Sequence, residues 1–288
     1  MSQIVAVKKQ VFRRPQKWKR WAALFLMAWG GPLSSRAENI SQSVSCQSRL
    51  SSSVRSSLAS YRSVDLEKQV RENRRVIRWN LFFTSRGLAD YKQSLHPDFE
   101  KSLGALSSSD IWMDLGAGKA LAAEEFLKTG PLSSKPLVIA VTYSLGWFRR
   151  PPSLAGRLKI LEGRLLEDIP SSELPQASLM TDVFGVLSYT DRLSESLNQI
   201  FAHLKKQGEL FVYFRTYSTT IETDSGTISL DRFLSLIPGI EVEGRNGTLK
   251  IKKIIDDPIL VPKLELIQIN HKDRPAFRRF RVIESNPQ

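Results

Sequence analysis

Cysteine is almost absent: Cys46 is the only one among 288 residues. A single thiol closes no intramolecular disulfide and cannot build a cysteine zinc cluster, whichever compartment holds the protein. Histidine is scarce too. His96, His203 and His271 lie far apart in the chain, which argues against a zinc site or a histidine-based triad. There is no G-x-S-x-G elbow and no phosphate P-loop. No internal repeat is visible, so solenoid architectures are set aside.

What is abundant is positive charge, +13 in net terms. A basic balance of this size first suggests nucleic acid. Its location weakens that reading, because residues 1–37 carry eight basic side chains and no acidic one, leaving 34 against 29 in the rest. Nucleic acid is therefore not the expected partner. The basic stretch ends at Arg20, an apolar run of 13 residues follows (Trp21–Leu33), and Ser35-Arg36-Ala37 then places small residues where a signal peptidase reads. Such a run is short for a bilayer span, which needs roughly 20 residues, and suits a signal peptide. The expectation is cleavage after Ala37, export to the periplasm, and no stable membrane span once the leader is gone. An interfacial helix or uncleaved anchor is the alternative, and a misassigned start would leave the protein cytoplasmic. Arg13-Arg14 lacks the apolar residues that follow a twin-arginine signal.

Residues 38–63 hold eleven serines in 26 positions and no sustained apolar period, the composition of a linker. From Val64 to about Phe83, apolar residues recur at helical spacing, with Asp65 and Glu67 near the start where the helix dipole favours acids. Arg71, Arg74, Arg75 and Arg78 read as a solvated basic face. Residues 64–283 fit one domain with this helical extension, and 284–288 form a tail.

Beyond Asp110, short apolar runs alternate with helical stretches. Ile111–Leu115, Leu137–Thr142, Leu158–Leu161, Leu179–Phe184 and Leu210–Phe214 read as strands, Lys119–Lys128 and Asp191–Lys206 as helices. That alternation predicts an α/β fold, a three-layer sandwich about a mostly parallel sheet. Thr248–Ile254, Lys263–Ile269 and Arg278–Ile283 read as strands joined by tight turns, giving an antiparallel C-terminal part.

The segment Asp110-Ile-Trp-Met-Asp-Leu-Gly-Ala-Gly-Lys-Ala120 runs a strand into a glycine turn and then a helix. Gly116 permits the turn, and Gly118 lets a ligand approach the backbone, with helix-start amides facing it. A dinucleotide fingerprint would need glycine at 121, where Leu121 stands. The D-x-G-x-G-x-A arrangement from Asp114 to Ala120 instead resembles motif I of the class I S-adenosylmethionine-dependent methyltransferases. Ser178–Tyr189 looks like that family's fourth strand, ending in an acid beside the transfer site. Leu204-Lys-Lys-Gln-Gly208 is similar to its turn into strand five.

The resemblance covers about residues 90–283 and implies a Rossmann-like fold and S-adenosylmethionine as cofactor. It places Asp114, Gly116, Ala117 and Gly118 in the cofactor loop, Thr142 and Tyr143 at the end of strand two, Arg164 and Leu165 after strand three, and Asp182 and Val183 on strand four. The catalytic candidates are Asp182 and Tyr189, with Asp191 read chiefly as a helix N-cap. Two departures stand out: Val141-Thr-Tyr-Ser144 lacks the acid that usually holds the ribose, and Arg164 replaces the usual acid after strand three. The acceptor, a small molecule or a protein, is not readable. Asp182-Val183-Phe184-Gly185 lacks the Asn/Asp-Pro-Pro-aromatic motif of enzymes that methylate base amines. A non-catalytic binding module on the same fold is the second reading.

Overall fold

The structure is a computed structural model that describes residues 65–75, 86–143, 154, 156–214, 218–245, 247–270 and 276–284. The leader 1–37, the serine-rich segment 38–63 and the tail beyond Glu284 lie outside the described residues.

Seven strands form the larger sheet: β1 (Ile111–Asp114), β2 (Leu137–Thr142), β3 (Leu158–Glu162), β4 (Ala177–Val183), β5 (Leu204–Tyr213), β8 (Ile240–Arg245) and β9 (Thr248–Lys253). Their order is β3-β2-β1-β4-β5-β9-β8. The first five run parallel, while β9 is antiparallel to both β5 and β8. The chain winds outward from β1 through β2 to β3, then returns to the other side of β1 with β4. The carboxyl ends of β1 and β4 thus flank a topological switch point, the place where open α/β sheets bind ligands.

The apolar runs are continuous because both faces of this sheet are covered, and the two-residue period assigns each side chain to a face. Trp112, Val138, Ala140, Leu179 and Phe211 face a layer of α2 (Leu88–Ser94), α3 (Phe99–Gly104) and α4 (Leu121–Leu127), meeting Tyr91, Phe99, Phe126 and Leu127. Met113, Ile139, Val141, Met180, Leu210 and Val212 face the opposite layer, where α6 (Leu193–His203) contributes Leu193, Leu197, Ile200 and Phe201. Residues 65–75 form helix α1, whose Leu66 and Val70 also pack on this second core. The architecture is the expected three-layer, Rossmann-like sandwich.

The C-terminal strands pair antiparallel as expected, β8 with β9 and β10 (Lys263–Asn270) with β11 (Phe277–Glu284), but they divide between two sheets. Only β9, with β8, completes the large sheet. β10 and β11 belong to a separate four-stranded sheet, β10-β11-β6-β7, with β6 (Thr219–Thr223) and β7 (Gly226–Ser229). β6 and β7 were not expected, being short and rich in threonine, serine and glycine. Between β7 and β8 lies α7 (Leu230–Leu234), whose Leu230, Phe233 and Leu234 join the core. Among the described residues, no helix is long and apolar enough to cross a membrane.

Candidate functional site

The cofactor-loop segment Leu115–Ala120 leaves β1 and is held from three sides. The Leu115 amide donates to the Thr181 carbonyl at 2.8 Å and the Ala117 amide to the Val141 carbonyl at 3.2 Å. The Thr142 hydroxyl donates to the Gly118 carbonyl at 2.8 Å. Gly118 has φ +52° and Ala120 φ +57°, so the loop enters the left-handed region twice before α4 begins. Gly116 plays a different part from the one expected. A Cβ there would lie 2.4 Å from Gly185 Cα and 3.3 Å from an Asp182 carboxylate oxygen. Its value is close backbone approach: the loops after β1 and β4 touch glycine to glycine. Gly185 is equally constrained, since a Cβ would fall 2.1 Å from Asp182 Oδ1.

Behind this seam sits a buried polar chain. The Trp112 indole donates to the Thr181 hydroxyl at 2.9 Å, which donates to Asp114 Oδ1 at 3.0 Å, and the Tyr91 hydroxyl donates to Asp114 Oδ2 at 2.9 Å. Burial pushes the Asp114 carboxyl up to about 7, against the pull of these donors and with a further push from the nearby Asp182 charge. Asp182 is likewise buried and is pushed up to about 6, while the amides of Leu187, Val186 and Gly185 oppose the rise. The Leu187 amide donates to its Oδ2 at 2.8 Å. Asp182 therefore anchors the start of α5 (Val186–Tyr189).

A cleft with about 740 Å³ of empty space, part of it open to solvent, lies above the seam. Of the residues singled out from sequence, Gly116, Gly118, Thr142, Tyr143, Arg164, Leu165 and Tyr189 line it. Asp114, Ala117, Asp182 and Val183 do not: all four are buried behind it. Thr142 is buried and tied to the loop, whereas Tyr143 is partly exposed at the cleft wall. Arg164 forms a two-pronged ion pair with Glu173, at 2.8 and 2.5 Å. Asp191 does not cap α6, which starts from Arg192 without a side-chain cap. Its carboxylate instead accepts from Arg74, at 2.8 Å from Nε and 3.3 Å from Nη2. That pair, with the Asn73 side-chain amide donating to the Tyr189 carbonyl at 2.9 Å, docks α1 beside the cleft.

Several cleft residues had no sequence signal strong enough to single them out. Arg86 precedes α2 and lines the β4 end of the cleft with Phe184, which has φ +48°. Glu167 lines the wall with a carboxylate only 1% exposed, accepting from Thr190 Oγ1 at 2.8 Å and Ser196 Oγ at 3.1 Å. Burial raises its pKa. From the small sheet, the fully buried Arg278 donates to the Leu187 carbonyl at 2.7 Å, and to the Thr190 carbonyl and Thr219 hydroxyl at 2.5 Å each. It thereby fixes α5, the wall that carries Val186 and Tyr189. The aromatic-glycine pair Phe184-Gly185, directly after a buried strand, was the one readable hint of a special turn. Among the described residues there is no cluster of acids, histidines or cysteine that could hold a metal ion.

No family model and no curated protein matches this chain. Among solved structures it is similar to a candidate sarcosine dimethylglycine methyltransferase from Galdieria sulphuraria (16% identity, 40% of this chain and 42% of that one, TM-score 0.33). It is also similar to a candidate S-adenosyl-L-methionine-dependent methyltransferase from Methanococcus maripaludis (15%, 57% and 85%, 0.38). A third is a methyltransferase of calicheamicin biosynthesis in its SAH-bound form (16%, 53% and 51%, 0.35). This chain spans less than half the length of the first and about half that of the third. Likenesses at this level bear on nothing beyond the general fold, which the strand order already gives.

Proposed function

We propose that the cleft binds S-adenosylmethionine and that the protein transfers its methyl group to an acceptor, a small molecule or a protein. The observation that carries this reading is the glycine-to-glycine seam at the switch point. It brings the loops after β1 and β4 into contact directly beneath a cleft at the carboxyl ends of the parallel strands. The residues present fit such a cofactor. Gly116 and Gly118 offer bare backbone, Leu115, Val141, Leu165 and Leu166 would give apolar walls for a purine, and Tyr143, lining the cleft after β2, would partner a ribose hydroxyl.

The cofactor supplies a methyl group on a sulfonium centre, a reaction that asks the protein mainly for alignment and exclusion of water. The buried seam and the wall held by Arg278 serve that alignment. Tyr189 lines the cleft and is the proton-accepting candidate for an acidic acceptor; Asp182, buried under α5, stabilises the turn instead. The leader supports export, so the periplasm is the proposed location, and N-terminal sequencing of protein from its host would recover a chain starting near Glu38.

One observation favours a second reading, a binding module without transfer. Strand β2 ends in no carboxylate, and the Thr142 hydroxyl is bonded to the loop. Calorimetry with S-adenosylmethionine and its demethylated product separates the two. Micromolar product binding supports the enzyme; silence at millimolar ligand leaves the module as the better account.

A further inference from the structure

We propose that Arg86 is a carboxylate receptor at the β4 end of the cleft. Its Nη1 donates to the Val183 carbonyl at 2.8 Å, and its Cζ stands 5.3 Å from the centre of the Phe184 ring. These two contacts hold the guanidinium beside the ring and use one of its five N–H donors. Among the described residues no aspartate or glutamate pairs with it. Among the described residues, the other arginines about the cleft are engaged. Arg164 is paired with Glu173, Arg192 with Asp168 and Glu195, and Arg278 is enclosed among carbonyls and a hydroxyl.

The corner is built rather than incidental. Phe184 is a bulky residue in the left-handed region, a conformation that persists only where its surroundings enforce it. Its amide donates to the Tyr213 carbonyl at 2.9 Å, and its ring packs edge-on against Tyr213 with centroids 4.7 Å apart. The outcome is a positive fork beside an aromatic ring in the lining of a largely apolar cleft. A planar carboxylate matches that fork in shape and charge, and low local polarity strengthens the bond.

The ligand carboxylate has two sources: the amino-acid end of the cofactor, or an anionic acceptor. Only this choice of source rests on the methyltransferase reading; the receptor itself does not. The test titrates wild type, Arg86→Met and Arg86→Lys with three probes. These are S-adenosylhomocysteine, 5′-methylthioadenosine, which lacks the amino-acid end, and benzoate, which offers a carboxylate and a ring. Methionine keeps an unbranched apolar stem and removes the charge; lysine keeps the charge and loses the fork, so its loss should be intermediate.

If the cofactor supplies the carboxylate, Arg86→Met weakens S-adenosylhomocysteine by about ten- to hundredfold and leaves 5′-methylthioadenosine unchanged. If an acceptor supplies it, S-adenosylhomocysteine is unchanged and benzoate binding falls at least about tenfold. Equal losses for both nucleosides would mean a damaged cleft and overturn the assignment. So would an Arg86→Met protein that matches wild type for all three probes. Should wild type bind neither nucleoside, the methyltransferase reading fails alone, and the benzoate arm still decides the receptor.

Discussion

The large sheet builds the floor of the cleft from backbone contacts, and the small sheet braces its α5 wall through one side chain. From the large sheet come the loops after β1 and β4, where Gly116 and Gly185 leave no room for a Cβ. The small sheet acts on the same cleft from behind, through Arg278, which crosses into the core and donates to two carbonyls of the α5 wall. A backbone seam tolerates no side chain at all. A side-chain anchor is removable, at the cost of the polar groups it leaves unpaired. The difference shows where the cleft is rigid by construction and where its shape depends on a remote element.

The largest expected effect follows from breaking the seam. Gly116→Val forces a branched side chain against the Gly185 backbone, where neither loop can yield independently. The expected loss is about 3 kcal/mol or more of unfolding free energy, read by denaturant titration, with loss of nucleoside binding. Breaking the anchor should cost less. Arg278→Met strands the Leu187 and Thr190 carbonyls and the Thr219 hydroxyl, for about 2–3 kcal/mol. The small sheet should still form, since β10 and β11 keep their own pairing, so strand content by circular dichroism should be nearly unchanged. If Gly116→Val is the milder change, the contrast between the two sheets is wrong.

Much of the large sheet was legible from sequence, and the reason is physical. Strands covered on both faces must be apolar at successive positions, so β2 was read over its full observed span, Leu137–Thr142. The glycine loop was legible because left-handed backbone before a helix restricts residue choice. Less was visible where long-range contact decides the structure. The partner of Gly116 lies at Gly185, Arg86 enters from ahead of α2, and Arg278 arrives from the last strand. Nothing local marks any of these. β6 and β7 went unread because Thr219–Thr223 and Gly226–Ser229 contain just one apolar residue apiece, Ile221 and Ile228, and form strands only by pairing with each other and with β11. Asp191 was read as a cap from position alone, and α1 supplied it with a stronger partner in Arg74.

The acids under the seam sharpen the comparison through pH. Asp114 and Asp182 have folded pKa values near 7 and 6, above the ordinary 3.8 of an unfolded aspartate. Between about pH 4 and 7 the folded state therefore holds protons that the unfolded chain has released, and stability declines as pH rises through this window. Asp114→Asn should flatten part of that decline, changing the difference in unfolding free energy between pH 4.5 and 7.5 by up to about 3 kcal/mol. An identical pH profile in the variant would show that the seam carries no such proton. The smallest effect on stability belongs to the cleft wall. Tyr143→Asp, at a partly exposed position, should change stability by less than about 0.5 kcal/mol and tighten S-adenosylhomocysteine by roughly tenfold, through a charged acceptor for the ribose hydroxyls. Thr142→Asp, buried against the loop, should instead destabilise by about 1–3 kcal/mol without tighter binding.

The central claim is that the loop holding Gly118 is a nucleoside site, and one paired titration tests it most directly. S-adenosylhomocysteine is titrated calorimetrically into wild type and into Gly118→Val. A valine at φ +52° is strained and also blocks the backbone that a ligand would approach. Micromolar binding to wild type, abolished in a variant whose circular dichroism spectrum is unchanged, is the predicted result. Equal affinity in the two proteins, or no heat from wild type at millimolar ligand, would contradict it.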